Sequence, residues 1–211
     1  MKTSLLPAIA LCGIASTSHA EGLAKTRDGL FLAFGLGIGY GSMSTEATIP
    51  TSFTTTTDME MTNSGLTNSF DFRIGGTVAQ DLALHATLVG DAIGGPETEL
   101  KIGGRTKTVD AFNSVGFSML GVGATKYFTP ADAFVSASAG IATFQVEDTS
   151  ESSSKIKDRG FALQGKVGKE WWISPNWALG VAGVVNWAYV SPSDETDKYL
   201  SAGVQFSATY W

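Results

Sequence analysis

The chain is short of the residues that carry most protein chemistry. It has one cysteine, Cys12, two histidines, His19 and His85, and 14 basic residues against 20 acidic ones in 211, a formal net charge of −6. The sequence pI is near 4.8. Each shortage excludes something. Cys12 lies inside an N-terminal apolar segment, so the processed chain has no disulfide or thiol chemistry. An acidic balance argues against nucleic acid, which recruits basic patches. Past residue 20 there is no run of 18 apolar residues, so no helical membrane span is encoded.

The N-terminus reads as an export signal. Lys2 supplies the positive start, Leu5 to Ala15 the apolar stretch, and Ser18-His19-Ala20 a small-x-small cleavage site. The apolar stretch is too short to span about 30 Å of hydrocarbon. Leu11 stands before Cys12 where lipidation needs a small residue, so a lipoprotein is rejected. The division is 1–20 signal peptide, 21–28 polar periplasmic lead-in and 29–211 a single domain.

What the domain does have is alternation. From Gly29 to Gly41 the even positions are Leu30, Leu32, Phe34, Leu36, Ile38 and Tyr40, and the odd ones are mostly glycine. A soluble sheet places polar residues opposite its apolar face. A bare glycine face suits the cramped interior of a narrow barrel. Similar runs follow over Leu66–Val78, Leu82–Ala92, Ala111–Phe128, Ala133–Val146, Gly160–Trp172, from Trp177 to about Tyr189, and from about Leu200 to the end. Their connections alternate long and short. Ala79–Asp81, Thr129–Asp132 and Ser174–Asn176 are tight turns. Ser42–Gly65, Ile93–Thr108, Glu147–Arg159 and Ser191–Lys198 are the outer loops, the first rich in Thr and Ser. The expectation is an all-β, eight-stranded antiparallel up-and-down transmembrane β-barrel. Termini and short turns would be periplasmic, long loops extracellular, and the location the outer membrane. The strand over 111–128 is mixed: Val115, Phe117 and Met119 have one parity, Leu120 and Val122 the other. A bulge or a filled lumen explains that equally well.

Polar residues opposite the apolar faces define an expected lumen network: Asp71, Arg73, His85, Asp91, Lys126, Gln164, Lys166, Glu170, Asn186 and Gln205. Three acids balance three bases among them, which favours a salt-bridged plug over an ion-selective channel. Removing Glu170 should leave a cation unpaired. Aromatics near strand ends suggest two interfacial belts. Tyr127, Phe134, Trp171, Trp172, Trp177 and Tyr210 lie near the short turns; Tyr40, Phe144, Trp187, Tyr189 and Tyr199 lie near the long loops.

Catalytic patterns are thin. His85 follows a periplasmic turn, the wrong end for outer-leaflet chemistry, and no spacing singles out Ser69, Ser118 or Ser136 as its nucleophile. It reads as a hydrogen-bonded lumen residue. There is no nucleophile elbow, phosphate loop or metal-spaced cluster, and Asp194–Asp197 reads as a solvated acidic loop rather than a cation site. No cofactor or metal is expected.

The chain after residue 28 resembles the small outer-membrane β-barrels of the OmpA/OmpX and opacity-protein type. The run Gly168-Lys169-Glu170-Trp171-Trp172-Ile173-Ser174-Pro175-Asn176-Trp177 is similar to a turn segment of small barrels from myxobacteria and their relatives. The resemblance implies a C-terminal signal for the outer-membrane assembly machinery, here Phe206, Tyr210 and Trp211, although Trp211 departs from the parity of Phe206 and Tyr210. The partners expected are outer-membrane lipid, lipopolysaccharide and that machinery; the extracellular ligand is open, and a monomer is expected. The leading reading is a noncatalytic surface barrel acting through its extracellular loops in adhesion, envelope integrity or masking. The alternatives are a narrow pore or small-molecule-binding barrel, and an outer-leaflet lipid-modifying enzyme.

Overall fold

The computed structural model describes residues 27–52, 55–102, 105–109, 112–148, 154–191 and 195–211. The expected signal peptide, 1–20, and most of the expected lead-in, 21–28, lie outside the described residues. Ten strands follow in order: β1 Leu30–Ser52, β2 Thr55–Ala79, β3 Leu82–Gly94, β4 Glu97–Ile102, β5 Arg105–Val109, β6 Phe112–Phe128, β7 Ala133–Asp148, β8 Ser154–Trp172, β9 Trp177–Val190 and β10 Glu195–Tyr210. Eight of them close into an antiparallel barrel in the cyclic order β1-β10-β9-β8-β7-β6-β3-β2, with β2 returning to β1. Closure matters in lipid, because an open sheet edge there would leave backbone groups unpaired.

The alternating pattern sets which side faces out. Leu36 is 55% exposed and pairs with Phe70 and Phe206, both also outward. Leu88, Leu120, Ile141, Leu163, Val185 and Val204 continue that exposed apolar wall around the barrel. The intervening residues point inward and are buried. On β1 the bare inward face has a use: a Cβ at Gly35 would lie 2.8 Å from the Gln205 side chain, which occupies that space. An apolar exterior around a largely polar interior is the architecture of the small outer-membrane β-barrels.

The three short turns sit where the sequence puts them. Asp81 and Asp132 adopt positive φ, 57° and 53°, a region aspartate tolerates better than most residues. The opposite end differs from expectation. All four segments read as long loops carry strand: β1 and β2 fill most of Ser42–Gly65, β3 to β5 most of Ile93–Thr108, β8 begins at Ser154 within Glu147–Arg159, and β10 begins at Glu195 within Ser191–Lys198. β1 and β2 run on as one hairpin, pairing from Ser42↔Ser64 to Ser52↔Thr55. β2 also pairs with β4 over Met59–Ser64, and β4 pairs with β5. Beyond the barrel wall this makes a four-stranded sheet, with β10 joined to β1 as far as Ala47↔Glu195. Threonine and serine composition resembled loop, but threonine is a good strand former, and cross-strand pairing decided the outcome.

β6 settles the mixed strand. Val115, Phe117 and Met119 are buried inside, while Leu120 and Val122 are exposed outside. The only irregularity in its pairing with β7 lies between Phe112 and Ser114. The lumen is filled; no bulge reverses the parity.

Candidate functional site

Among the described residues, polar side chains gather in the barrel interior and on the hairpin sheet. Inside the barrel, three layers follow one another. The layer at the short-turn end is apolar and aromatic: Phe31, Ala33, Ala83, Tyr127, Phe134, Ala182 and Trp211, with Trp172 against them. Trp211 packs on Phe31 at 4.9 Å between ring centroids and edge-on against Tyr127 at 5.1 Å. Its backbone N–H donates to the Asn176 carbonyl at 3.0 Å.

Arg27 closes this end. It is buried, and its guanidinium lies 4.2 Å from the Tyr127 ring centroid and 5.3 Å from that of Trp172. Its Nη2 donates to Asp132 Oδ1 at 2.7 Å, and Nη1 stands 3.7 Å from Asp81 Oδ1. Both acceptors are the positive-φ residues of the turns, so one cation ties the lead-in to two hairpins. Thr77 adds a hydroxyl bond to the Arg27 carbonyl at 2.8 Å.

The middle layer is polar. Asp71 is fully buried, pairs with Lys166, and lies 3.3 Å from Arg73 Nε. Arg73 Nη1 reaches Thr125 Oγ1 at 3.4 Å, and Thr125 donates to Ser136 at 2.8 Å. His85 sits in the same layer, with Nε2 3.0 Å from Thr125 Oγ1 and Nδ1 2.8 Å from Thr87 Oγ1. Thr125 has spent its proton on Ser136, so His85 Nε2 carries a hydrogen and Nδ1 accepts from Thr87. A second cluster joins Asp91 to Asn186 Nδ2 at 2.7 Å and to the Ser201 hydroxyl, with Gln164 donating to Asn186 Oδ1 at 3.0 Å. Gln205 is buried against β1.

Glu170 is the clearest departure in pairing. It accepts from Tyr127 at 3.0 Å and Thr209 at 2.7 Å. Its direct partners are hydroxyls and not the lumen cations, so the cation-stranding role expected of it is corrected. A neutral donor pair can hold a buried carboxylate where a cation does not fit.

The third layer, at the hairpin end, is apolar again. Met43, Val89, Ile93, Val115, Phe117, Met119, Phe144, Val190 and Tyr199 pack together with alanines. Phe117 meets Tyr199 edge-on at 5.0 Å.

Several expected positions are corrected. Lys126 is outside, donating to the Gln80 carbonyl at 2.8 Å. Its parity is opposite that of Val115, Phe117 and Met119, which point into the lumen. The expected balance of three acids and three bases therefore becomes Asp71, Asp91 and Glu170 against Arg73 and Lys166. Tyr127 and Phe134 are buried in the lumen and belong to no belt. Trp172 also turns inward onto the turn-end layer, and Phe144 and Tyr199 lie in the hairpin-end layer. Outward at the turn end stand Trp171, Trp177 and Tyr210, the last two 5.3 Å apart. Outward at the hairpin end stand Tyr40, Trp187 and Tyr189. Phe206 faces out and Trp211 in. Ser118 faces outward, away from His85, whereas Ser69 and Ser136 face inward. Asp197 is buried and accepts from Thr45 at 2.5 Å, so it is no part of a solvated acidic loop.

On the hairpin sheet, Asn63 accepts from the buried Thr98 hydroxyl at 2.7 Å, locking β2 to β4. The same face carries half-buried Met59, Met61 and Leu100, with Ile102 exposed. The opposite face is charged: Lys101 meets Glu60 at 3.4 Å and Lys198 meets Glu46 at 2.9 Å. The hydrogen bond and charge of Glu46 hold the Lys198 ammonium above its ordinary range.

Arg27, Thr125 and Thr209 were not singled out in the sequence, and Tyr199 was expected in the outer belt rather than the lumen. Thr209 and Tyr199 were readable from the parity of β10. Arg27 had no local signal, because its partners are 54 and 105 residues away.

No family profile matches the sequence, and no curated protein matches it. Solved structures do show similar folds. The outer membrane protease OmpT of Escherichia coli is 12% identical, with 90% of this chain and 99% of that one covered, at a TM-score of 0.46. OprG of Pseudomonas aeruginosa is 12% identical, covering 88% and 97% at 0.44. Ail, the attachment invasion locus protein of Yersinia pestis, is 11% identical, covering 83% and 98% at 0.39. The likeness is one of strand arrangement, and no activity follows from it. What the structure defines is the fold, a closed eight-stranded antiparallel β-barrel.

Proposed function

We propose that this is a noncatalytic outer-membrane surface barrel that acts through its extracellular hairpins. In this reading the termini are periplasmic and the hairpin sheet of β1, β2, β4 and β5 stands outside the cell. The observation that carries the reading is the combination of a stoppered lumen with an ordered sheet beyond it. Two apolar layers bracket the polar middle of the barrel, which leaves the barrel suited to anchoring. The sheet presents an apolar strip on one face and paired charges on the other, a surface for adhesion, envelope integrity or masking. Surrounding partners are outer-membrane lipid, including lipopolysaccharide in the outer leaflet, and the assembly machinery reading Phe206, Tyr210 and Trp211. A monomer suffices, because the barrel closes on itself.

The test uses the absence of cysteine after residue 20. A Lys107→Cys variant should react with a membrane-impermeant maleimide in intact cells. Leu100→Asp should then lower the attachment of those cells to matrix-coated glass without changing the heat-dependent mobility of the barrel. Labelling that requires broken cells would overturn the topology. Unchanged attachment would remove the sheet from the function.

A further inference from the structure

The barrel wall is uneven at the hairpin end. On β8, β9, β10 and β1 the outward residues there are Phe161, Trp187, Tyr189, Leu200 and Tyr40. Across β2, β3, β6 and β7 they are, Phe70 apart, small or carry a hydroxyl or amide. One rung runs Asn68↔Ala92↔Gly116↔Gln145, and the rung below it runs Phe70↔Gly90↔Ser118↔Thr143. These rungs lie just above the large apolar rung of Phe72, Leu88, Leu120 and Ile141. They are also within the rim, because Leu66, paired with Tyr40, stands outward beyond Asn68.

The small residues leave a notch of about 180 Å³, with Asn68, Phe70, Ser114, Ser118 and Gln145 around it. Its shape is built in. The Phe70 ring covers Gly90, where a Cβ would come within 2.2 Å of it. At Gly116 a Cβ would meet the Asp91 carbonyl at 2.4 Å. Gln145 donates to Ser118 at 3.2 Å, which fixes the amide against the wall. The Asp91 carboxylate is turned to the lumen, held by Asn186 and Ser201. Neutral donors and acceptors therefore surround the notch beside an aromatic face.

Hydrogen-bonding groups on a lipid-facing wall are costly unless a polar partner meets them. The level is the boundary of the apolar band, since from Ser114 on the outward residues of β6 are Ser114, Gly116 and Ser118 before Leu120, and Leu120 to Phe128 is about the 9–11 residues a strand needs to cross. Amides and hydroxyls next to a ring suit a polyhydroxyl group, whose C–H faces stack while its O–H groups bond. With no charge directed into the notch by its lining residues, an anionic headgroup gains nothing there.

We propose that this notch binds a neutral sugar unit in the headgroup of an outer-leaflet glycolipid. The proposal rests on the outer-membrane reading above but not on the function of the hairpin sheet. The purified full chain is placed in lipid nanodiscs containing equal parts digalactosyldiacylglycerol, phosphatidylcholine and phosphatidylglycerol with matched acyl chains. Lipids retained on gentle release are counted by native mass spectrometry. One digalactosyl lipid should be retained about tenfold over either phospholipid, as expected for two or so hydrogen bonds. Ser118→Leu with Gln145→Leu should bring it down to the phosphatidylcholine level. Leucine at these outward sites matches the rest of the wall, and the single change Asn68→Leu serves if the pair does not fold. Equal retention of all three lipids, a preference for phosphatidylglycerol, or a sugar preference that survives these changes would each overturn the site. None of these outcomes bears on cell-surface labelling at position 107.

Discussion

At the scale of single residues, the lumen contains two kinds of buried carboxylate, and they should behave differently when changed. Asp71 neutralises two cations, Lys166 and Arg73, with essentially no access to water. Asp71→Ala leaves both unpaired, and breaking a buried pair costs about 3–5 kcal/mol. Reversible urea unfolding from lipid vesicles should show a loss of that size. Glu170 instead accepts from Tyr127 and Thr209. Glu170→Gln keeps an acceptor oxygen for both hydroxyls and removes only the charge, so it should cost much less than Glu170→Ala. The alanine variant strands two buried donors at about 1–3 kcal/mol each. Equal losses for glutamine and alanine would mean that the charge, and so a cation beyond hydrogen-bonding distance, is what Glu170 serves. Arg27 belongs with these residues. Arg27→Ala removes the ties to Asp81 and Asp132 and the face of Tyr127. Hydrogen exchange should accelerate in both turns, Ala79–Asp81 and Thr129–Asp132, and not in the Ser174–Asn176 turn.

Whole strands show which parts of this architecture could be read from sequence. Parity was legible wherever one face was large and the other small or polar. On β1, Gly35, Gly37, Gly39 and Gly41 alternating with Leu36, Ile38 and Tyr40 left no choice. On β6 both faces are apolar, because Val115, Phe117 and Met119 fill the lumen while Leu120 and Val122 face outward. Alternation then loses its sign, and Lys126 was assigned inside for that reason alone. Aromatics near turns misled in a related way. Nearness to a turn fixes height along the barrel but not side, so Tyr127, Phe134 and Trp172 looked like an interface belt and are instead a stopper. The hairpin sheet was hidden because a Thr- and Ser-rich segment takes its structure from its neighbours. Asn63 and Thr98 meet only once β4 folds back on β2. That contact makes a testable element: Thr98→Val removes the donor to a buried amide. Protease should then cut within Met59–Ser64 faster, while the barrel strands remain protected. Unchanged cutting would show that the pairing of β2 and β4 stands without this bond.

For the molecule as a whole, the outward and inward sets are a statement about solvent. Leu36 faces outward in the middle of the apolar run Leu30–Tyr40 of β1, and at the midplane of a bilayer an arginine costs about 2–4 kcal/mol. Thr106 is exposed on the hairpin sheet, where a surface change stays within about 0.5 kcal/mol. Leu36→Arg should therefore impair insertion into vesicles and Thr106→Arg should not; equal tolerance would refute the assignment of the lipid face.

Whether the closed barrel conducts depends on its layers acting in series. An ion crossing must pass the turn-end stopper of Arg27, Tyr127 and Trp211, then the polar middle, then the apolar layer around Phe117. The polar middle alone would be a favourable stop for an ion, so resistance lies in the apolar layers, where a charge finds no compensating group. Planar-bilayer recording of the unmodified protein should show no large, steady channels. Weakening one layer should not be enough. Phe117→Ala with Met119→Ala opens only the hairpin end and should stay closed, while adding Arg27→Ala and Trp211→Ala opens both ends and should admit small ions. Steady conductance in the unmodified protein would revive the narrow-pore reading, and conductance in the two-residue variant would place the barrier in the Phe117 layer alone.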